Sequence, residues 1–189
     1  ASYYVPSNAV ITVVGDIDPE AVFSACESSF GDWQGALPPV EHPAPATQKS
    51  FQTVFVKDMD SQIALQFAFR GFGRGDRRIT TIRLIRRILC GGGSSRLIMS
   101  LRERMGIVYS VSASLSAYEE TGCFAVDMAT APENLLLAVE EVLRETRRMA
   151  TELMENTELE RVKKGYFFDL DYSRDSTYEI GVRYGWGEL

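Results

Sequence analysis

The chain predicts an α+β fold, with helices packed on one face of a mixed, mainly antiparallel sheet of about five or six strands. Three observations lead there. Apolar residues alternate with polar or small ones at Ile63–Phe69 and again along Ile107–Ser116. They recur at helical spacing within 82–89 and 135–142. A continuous β-branched run, Ala9–Gly15, suits a strand buried on both faces.

Taken in order, Asp18-Pro19-Glu20 supplies an N-cap, a proline at the first helical position and an acid in the first turn, so a helix should run to Phe30. Residues 35–50 hold Pro38, Pro39, Pro43 and Pro45 of the chain's seven prolines and read as an extended surface connector. The single histidine, His42, lies inside it and reads as a solvated loop residue. Two strands follow, Phe51–Lys57 and a half-buried one in which Ile63, Leu65, Phe67 and Phe69 share a face. Asp76 can cap a helix reaching about Leu89, its apolar stripe made by Ile82, Ile85, Ile88 and Leu89. Arg83, Arg86 and Arg87 lie mainly off that stripe, as a solvated face balanced by acids would. Ile107–Ser116 and Gly122–Thr130 form an antiparallel pair joined at Tyr118–Thr121. Pro132 and Glu133 open a long helix with Leu135, Val139 and Val142 on one stripe, and Thr157–Glu160 has the form of a capping box.

At 189 residues, 45% hydrophobic and 24% charged, the chain has room for one sizeable core and reads as a single domain, 1–189. A net charge of −6 argues against a nucleic-acid partner. No apolar run reaches the ~18–20 residues of a membrane span, so no membrane partner is expected. Cys26, Cys90 and Cys123 lack CxxC spacing; free thiols lean toward a reducing compartment, the cytoplasm ahead of periplasm or mitochondrial matrix.

The densest information lies in ILCGGGSSRLIMSLRERMGIVYSVS, Ile88–Ser112. Gly91, Gly92 and Gly93 allow a sharp turn, and Ser94 or Ser95 can cap the next helix. Leu97 and Leu101 form its apolar edge, and Gly106 stands where a left-handed C-terminal cap is wanted. Arg102 therefore falls in the last turn, just before a strand that opens with Tyr109, so a guanidinium and a phenol could reach one ligand. The ordinary readings are a cation at a helix C-terminus and a core tyrosine, since strict alternation puts Tyr109 with Ile107, Val111, Ala113 and Leu115. A bulge would re-aim it. A phosphate loop is disfavoured because the GK[ST] ending is missing and a helix, not a strand, precedes the glycines.

This segment closely resembles the C-terminal half of the pitrilysin/insulinase-type zinc peptidases, above all their processing-peptidase-like branch. The resemblance continues in YYVPSNAVITVVGDIDPEAV (Tyr3–Val22), FGDW (Phe30–Trp33), YEETGCFAVDMATAPEN (Tyr118–Asn134) and TELERVKKG (Thr157–Gly165). It implies the LuxS/processing-peptidase-like metallohydrolase fold, as one half of a two-half clamshell whose open sheet face lines a chamber. It also implies that Arg102 and Tyr109 hold the substrate backbone and stabilise the tetrahedral intermediate; apart from the resemblance, Ser95 and Arg96 at the glycine corner could also touch peptide, though nothing in the sequence demands it. The family holds zinc through an HxxEH motif and a downstream Glu in the N-terminal half. This chain has no HxxEH and is expected to be inactive alone, binding no cofactor itself. The implied partners are peptide substrates and a zinc-binding N-terminal half, in the same chain or in a separate subunit, with a homodimer left open. The alternative within the family is a catalytically inactive structural subunit. Against the family, Ala1 reads as a start within a longer protein, and the last helical segment, Tyr178–Leu189, is cut short.

Overall fold

The computed structural model describes residues 3–37, 48–57 and 59–188; most of the proline-rich connector, His42 included, lies outside them. Contacts divide the chain into two compact units, residues 1–43 with 167–189, and residues 44–166.

In the first unit, α1 (Pro19–Phe30) starts as expected, the Asp18 side chain accepting from the Glu20 amide at 3.1 Å. The Phe30 and Trp33 rings close the turn after it, centroids 6.1 Å apart. The residues after 176 form a regular helix despite their glycines, labelled α5 below (Thr177–Glu188). Its bare face meets the 9–15 segment: a side chain at Gly185 would come within 2.9 Å of the Thr12 hydroxyl. The 9–15 run is not the buried strand expected. Among the described residues it has no ladder partner, and Ile11 is 53% exposed. β-branching favours extended backbone, but a strand also needs a lateral partner for its amides, and the regular elements described in this unit are helical.

The second unit holds the sheet. β1 (Ile63–Gly71), β2 (Val108–Ala117) and β3 (Gly122–Thr130) run in the order β1-β3-β2, antiparallel throughout. The described residues thus give three strands where five or six were expected, and no parallel pair. Phe51–Lys57 is the other missing strand. Its alternation specifies two faces but no partner, and Phe51, Val54, Phe55 and Val56 are all more than four-fifths exposed.

Register divides the sheet into two chemically distinct faces. Leu65, Met128 and Val111 align across the strands, as do Phe67, Val126 and Ala113. These rows join Leu89 of α2 (Ile79–Cys90) and Ala138 and Val142 of α3 (Leu135–Thr151) in one core. On the opposite face Gln66, Asp127 and Ser112 align, as do Ala68, Ala125 and Ser114. Gln66 donates to Asp127 at 2.6 Å. Helices therefore cover one face, and the other keeps small or polar side chains.

Three local expectations change. Asp76 lies ahead of the first turn of α2 and accepts from the Arg78 amide at 2.8 Å. Arg78 pairs back at 2.7 Å and holds that carboxyl down at about 2. The stripe of α3 is rotated: it buries Ala138, Glu141, Val142 and Glu145, and the two carboxylates are tolerated because Arg144 and Arg148 reach them at 2.6 and 2.9 Å. Finally, α4 (Asn156–Ser173) begins before Thr157, so no capping box forms. Glu160 pairs with Lys163, and Glu158 turns to Arg96.

Candidate functional site

The site starts at the glycine turn. Gly92, at φ +122°, adopts a backbone that side chains disfavour, and its carbonyl accepts from the Ser95 amide at 2.9 Å. The helix that follows is π-wound over Ile98–Arg104, the Met105 amide reaching five residues back to the Ser100 carbonyl at 3.0 Å. Such windings are rare and concentrate at functional sites. Leu97 and Leu101 are fully buried beneath it, which turns Arg102 outward. Gly106, at φ +64°, makes the expected left-handed cap, and the Ile107 amide returns to the Leu101 carbonyl at 3.0 Å.

The chain then enters β2 through a bulge. Val108 pairs with Thr130 and Val111 with Met128, so three steps on β2 oppose two on β3. Val108 and Val111 are both buried, while Tyr109 and Ser110 between them are both exposed. The Thr130 hydroxyl donates to the Ile107 carbonyl at 2.6 Å and pins this entry. The strict alternation that would have buried Tyr109 is broken: its side chain is 86% exposed. Arg102 stands beside it, the guanidinium carbon 5.8 Å from the ring centroid. The other partner of Arg102 is Glu103, at 3.5 Å on the surface, too long and too solvated to hold the guanidinium firmly. A permanently charged planar donor thus lies beside the ring of an exposed phenol, residue types whose donors suit a carbonyl oxygen that gains negative charge.

Ser95 and Arg96 are placed differently. The Ser95 hydroxyl is buried and makes no hydrogen bond, so it does not cap the helix. Arg96 donates to both oxygens of Glu158, at 2.9 and 2.6 Å, with its side chain 15% exposed. The same hydrogen bonds hold the Glu158 carboxyl below the usual carboxylate range. Glu145, almost wholly buried, lies 4.0 Å from Arg96. Sequence reasoning missed this network; only its Glu145 member left a signal, a spacing that places it on the stripe of Ala138 and Val142. Among the described residues no three His, Cys, Asp or Glu side chains converge, so these residues do not fit a zinc site.

Residues 1–166, which include the turn, the helix after it and the bulged strand, match the family described as the peptidase M16 inactive domain. The chain belongs to that family. The chain is 30% identical over 190 residues to the uncharacterised zinc protease YmxG of Bacillus subtilis, covering 99% of this chain and 45% of that protein. It is 28% identical over 188 residues to an uncharacterised zinc protease of Rickettsia bellii, covering 96% of this chain and 44% of that one. The chain thus spans under half the length of these relatives. A peptidase M16 inactive domain structure from Pseudomonas fluorescens shares the fold at TM-score 0.78 and 23% identity, over 96% of this chain and 43% of that one. A protease from Helicobacter pylori does so at TM-score 0.78 and 19% identity, over 97% and 46%. Among the described residues of the M16 domain no helix is long and apolar enough to cross a membrane.

Proposed function

We propose that this chain is the non-zinc-binding half of a zinc metalloendopeptidase, closing a chamber over extended peptide and presenting Arg102 and Tyr109 to the scissile carbonyl. The observation that carries the reading is the bulge that brings an exposed Tyr109 ring within 5.8 Å of the Arg102 guanidinium. A buried core tyrosine or a fully paired helix-end arginine would need no such arrangement. The small and polar sheet face, with Ser112, Ser114 and Ser116 along its edge strand, gives an extended peptide room to approach. The donor set supports the reading that the chain is inactive alone and that the metal, which would polarise the carbonyl as a Lewis acid, is held by the other half of the parent protein.

Steady-state peptide cleavage by the intact parent, wild type against Arg102→Ala with zinc content matched, tests this. The expected loss is about a hundredfold or more in kcat. Unchanged kinetics would return Arg102 to a helix-end charge. A second reading, a structural subunit without chemistry, draws on the fold shared with a chain of complex III2 from Candida albicans, TM-score 0.65 at 17% identity. Absence of cleavage in the wild-type parent would favour it.

A further inference from the structure

We propose that Arg96 is a positioning residue for Arg102, acting through its pair with Glu158 rather than by touching peptide. This rests on the reading of Arg102 given above. Arg96 opens the helical segment whose last turn carries Arg102, about one and a half turns further on. Leu97 and Leu101 fix the underside of that segment through packing, which resists lifting but leaves sliding and rotation less constrained. Its N-terminal end has no side-chain cap, the Ser95 hydroxyl being unpartnered.

What holds that end is α4. Arg96 grips Glu158 with two hydrogen bonds, and Arg161 of α4 donates to the Ser94 carbonyl at 3.3 Å. Glu145 of α3, at 4.0 Å from Arg96 and itself held by Arg148 at 2.9 Å, attracts the same guanidinium from below. Planar two-point pairing fixes orientation as well as distance, which a lysine could not do. A π-wound turn departs from the regular helical ladder, so an outside anchor matters more for where its last residue points. The guanidinium of Arg96 is spent on these carboxylates, whereas that of Arg102 lies open beside Tyr109.

The two roles separate in a double-mutant cycle on the zinc-loaded parent peptidase, using Glu158→Gln and Arg102→Ala. Glu158→Gln keeps the volume of the carboxylate and removes the charge that clamps Arg96, without stripping Glu158 of its guanidinium as loss of Arg96 would. A displacement of about 1 Å at a transition-state donor costs up to 10²-fold, so a partial loosening should lower kcat about tenfold with KM within about twofold. Combined with Arg102→Ala, Glu158→Gln should change kcat less than about twofold further, because its effect runs through Arg102. Arg96→Lys, measured alongside, should fall between wild type and Glu158→Gln.

A Glu158→Gln effect that persists in full beside Arg102→Ala overturns the proposal, as does one confined to KM or no effect at all. In each of those cases a large Arg102→Ala loss would leave the role of Arg102 standing. An Arg102→Ala protein with wild-type kcat overturns that role and the positioning together. Thermal unfolding and zinc content of each variant identify losses that arise from misfolding, and a variant that loses activity only through unfolding counts against positioning.

Discussion

In the proposed role Tyr109 would offer two separable things to a substrate carbonyl, a hydroxyl that donates and a ring that rests beside the Arg102 guanidinium. Tyr109→Phe removes only the first. In the parent peptidase kcat should fall about tenfold to a hundredfold with KM little changed, because the bond is worth most once the oxygen carries charge. Tyr109→Leu also removes the ring, whose contact with an exposed guanidinium is worth about 0.5–1 kcal/mol, and should cost further. Equal kinetics for Phe and Tyr would confine the residue to the ring contact. Cys90, at the end of α2, has a different chemistry: burial pushes its thiol up to about 12. The thiolate is the reactive species, so at pH 8 Cys90 should resist iodoacetamide in the folded protein and label on denaturation, read by mass spectrometry. Rapid native labelling at Cys90 would contradict the burial.

At the scale of elements, the tie between α4 and the π-wound helix gives a pH signature. The Arg96 hydrogen bonds lower the Glu158 carboxyl in the folded state relative to the unfolded chain. A group depressed in this way stabilises the fold above its unfolded value of about 4.3–4.5 and loses that contribution as pH falls through the folded value. The stability gap between wild type and Glu158→Gln should therefore be constant from pH 8 to about 5 and shrink below about 4.5. Asp76, also held low by its own arginine, is the same in both proteins and cancels. Thermal unfolding at stepped pH measures this, and a gap that stays flat to pH 3 would detach Glu158 from the tie. The elements that make this tie were only partly legible. Period and capping residues found α1, β1, α2 and the β2–β3 pair, because those signals are local. They misread Ala9–Gly15 and Phe51–Lys57, since neither a β-branched run nor alternation says who completes a ladder. They also put Tyr109 in the core, because a bulge leaves no mark in a pattern that counts by twos. Spacing alone set Arg102 and Tyr109 near each other, and the resemblance supplied the reason. The Arg96–Glu158 pair, 62 positions apart in sequence, had no local signal at all.

For the whole molecule, the question is whether cleavage needs more than these residues. The chain spans under half the length of the zinc proteases it resembles, and among its described residues no three metal-binding side chains converge. A catalytic zinc site takes about three protein ligands with one position left for water. In the proposed role the Arg102–Tyr109 pair supplies hydrogen-bond donors but no metal ligand and no base, so the metal and the attacking water would have to come from another surface. Residues 1–189 purified alone should therefore hold well under one zinc per chain and leave a quenched fluorogenic peptide intact, while the parent holds about one zinc and cleaves it. Adding the separately purified remainder of the parent to this chain should restore cleavage, and restore it poorly when the chain carries Arg102→Ala. Cleavage by residues 1–189 alone would mean that the chain contains a complete active site. Restoration that ignores Arg102 would leave this half as a wall of the chamber, with the chemistry entirely on the other side.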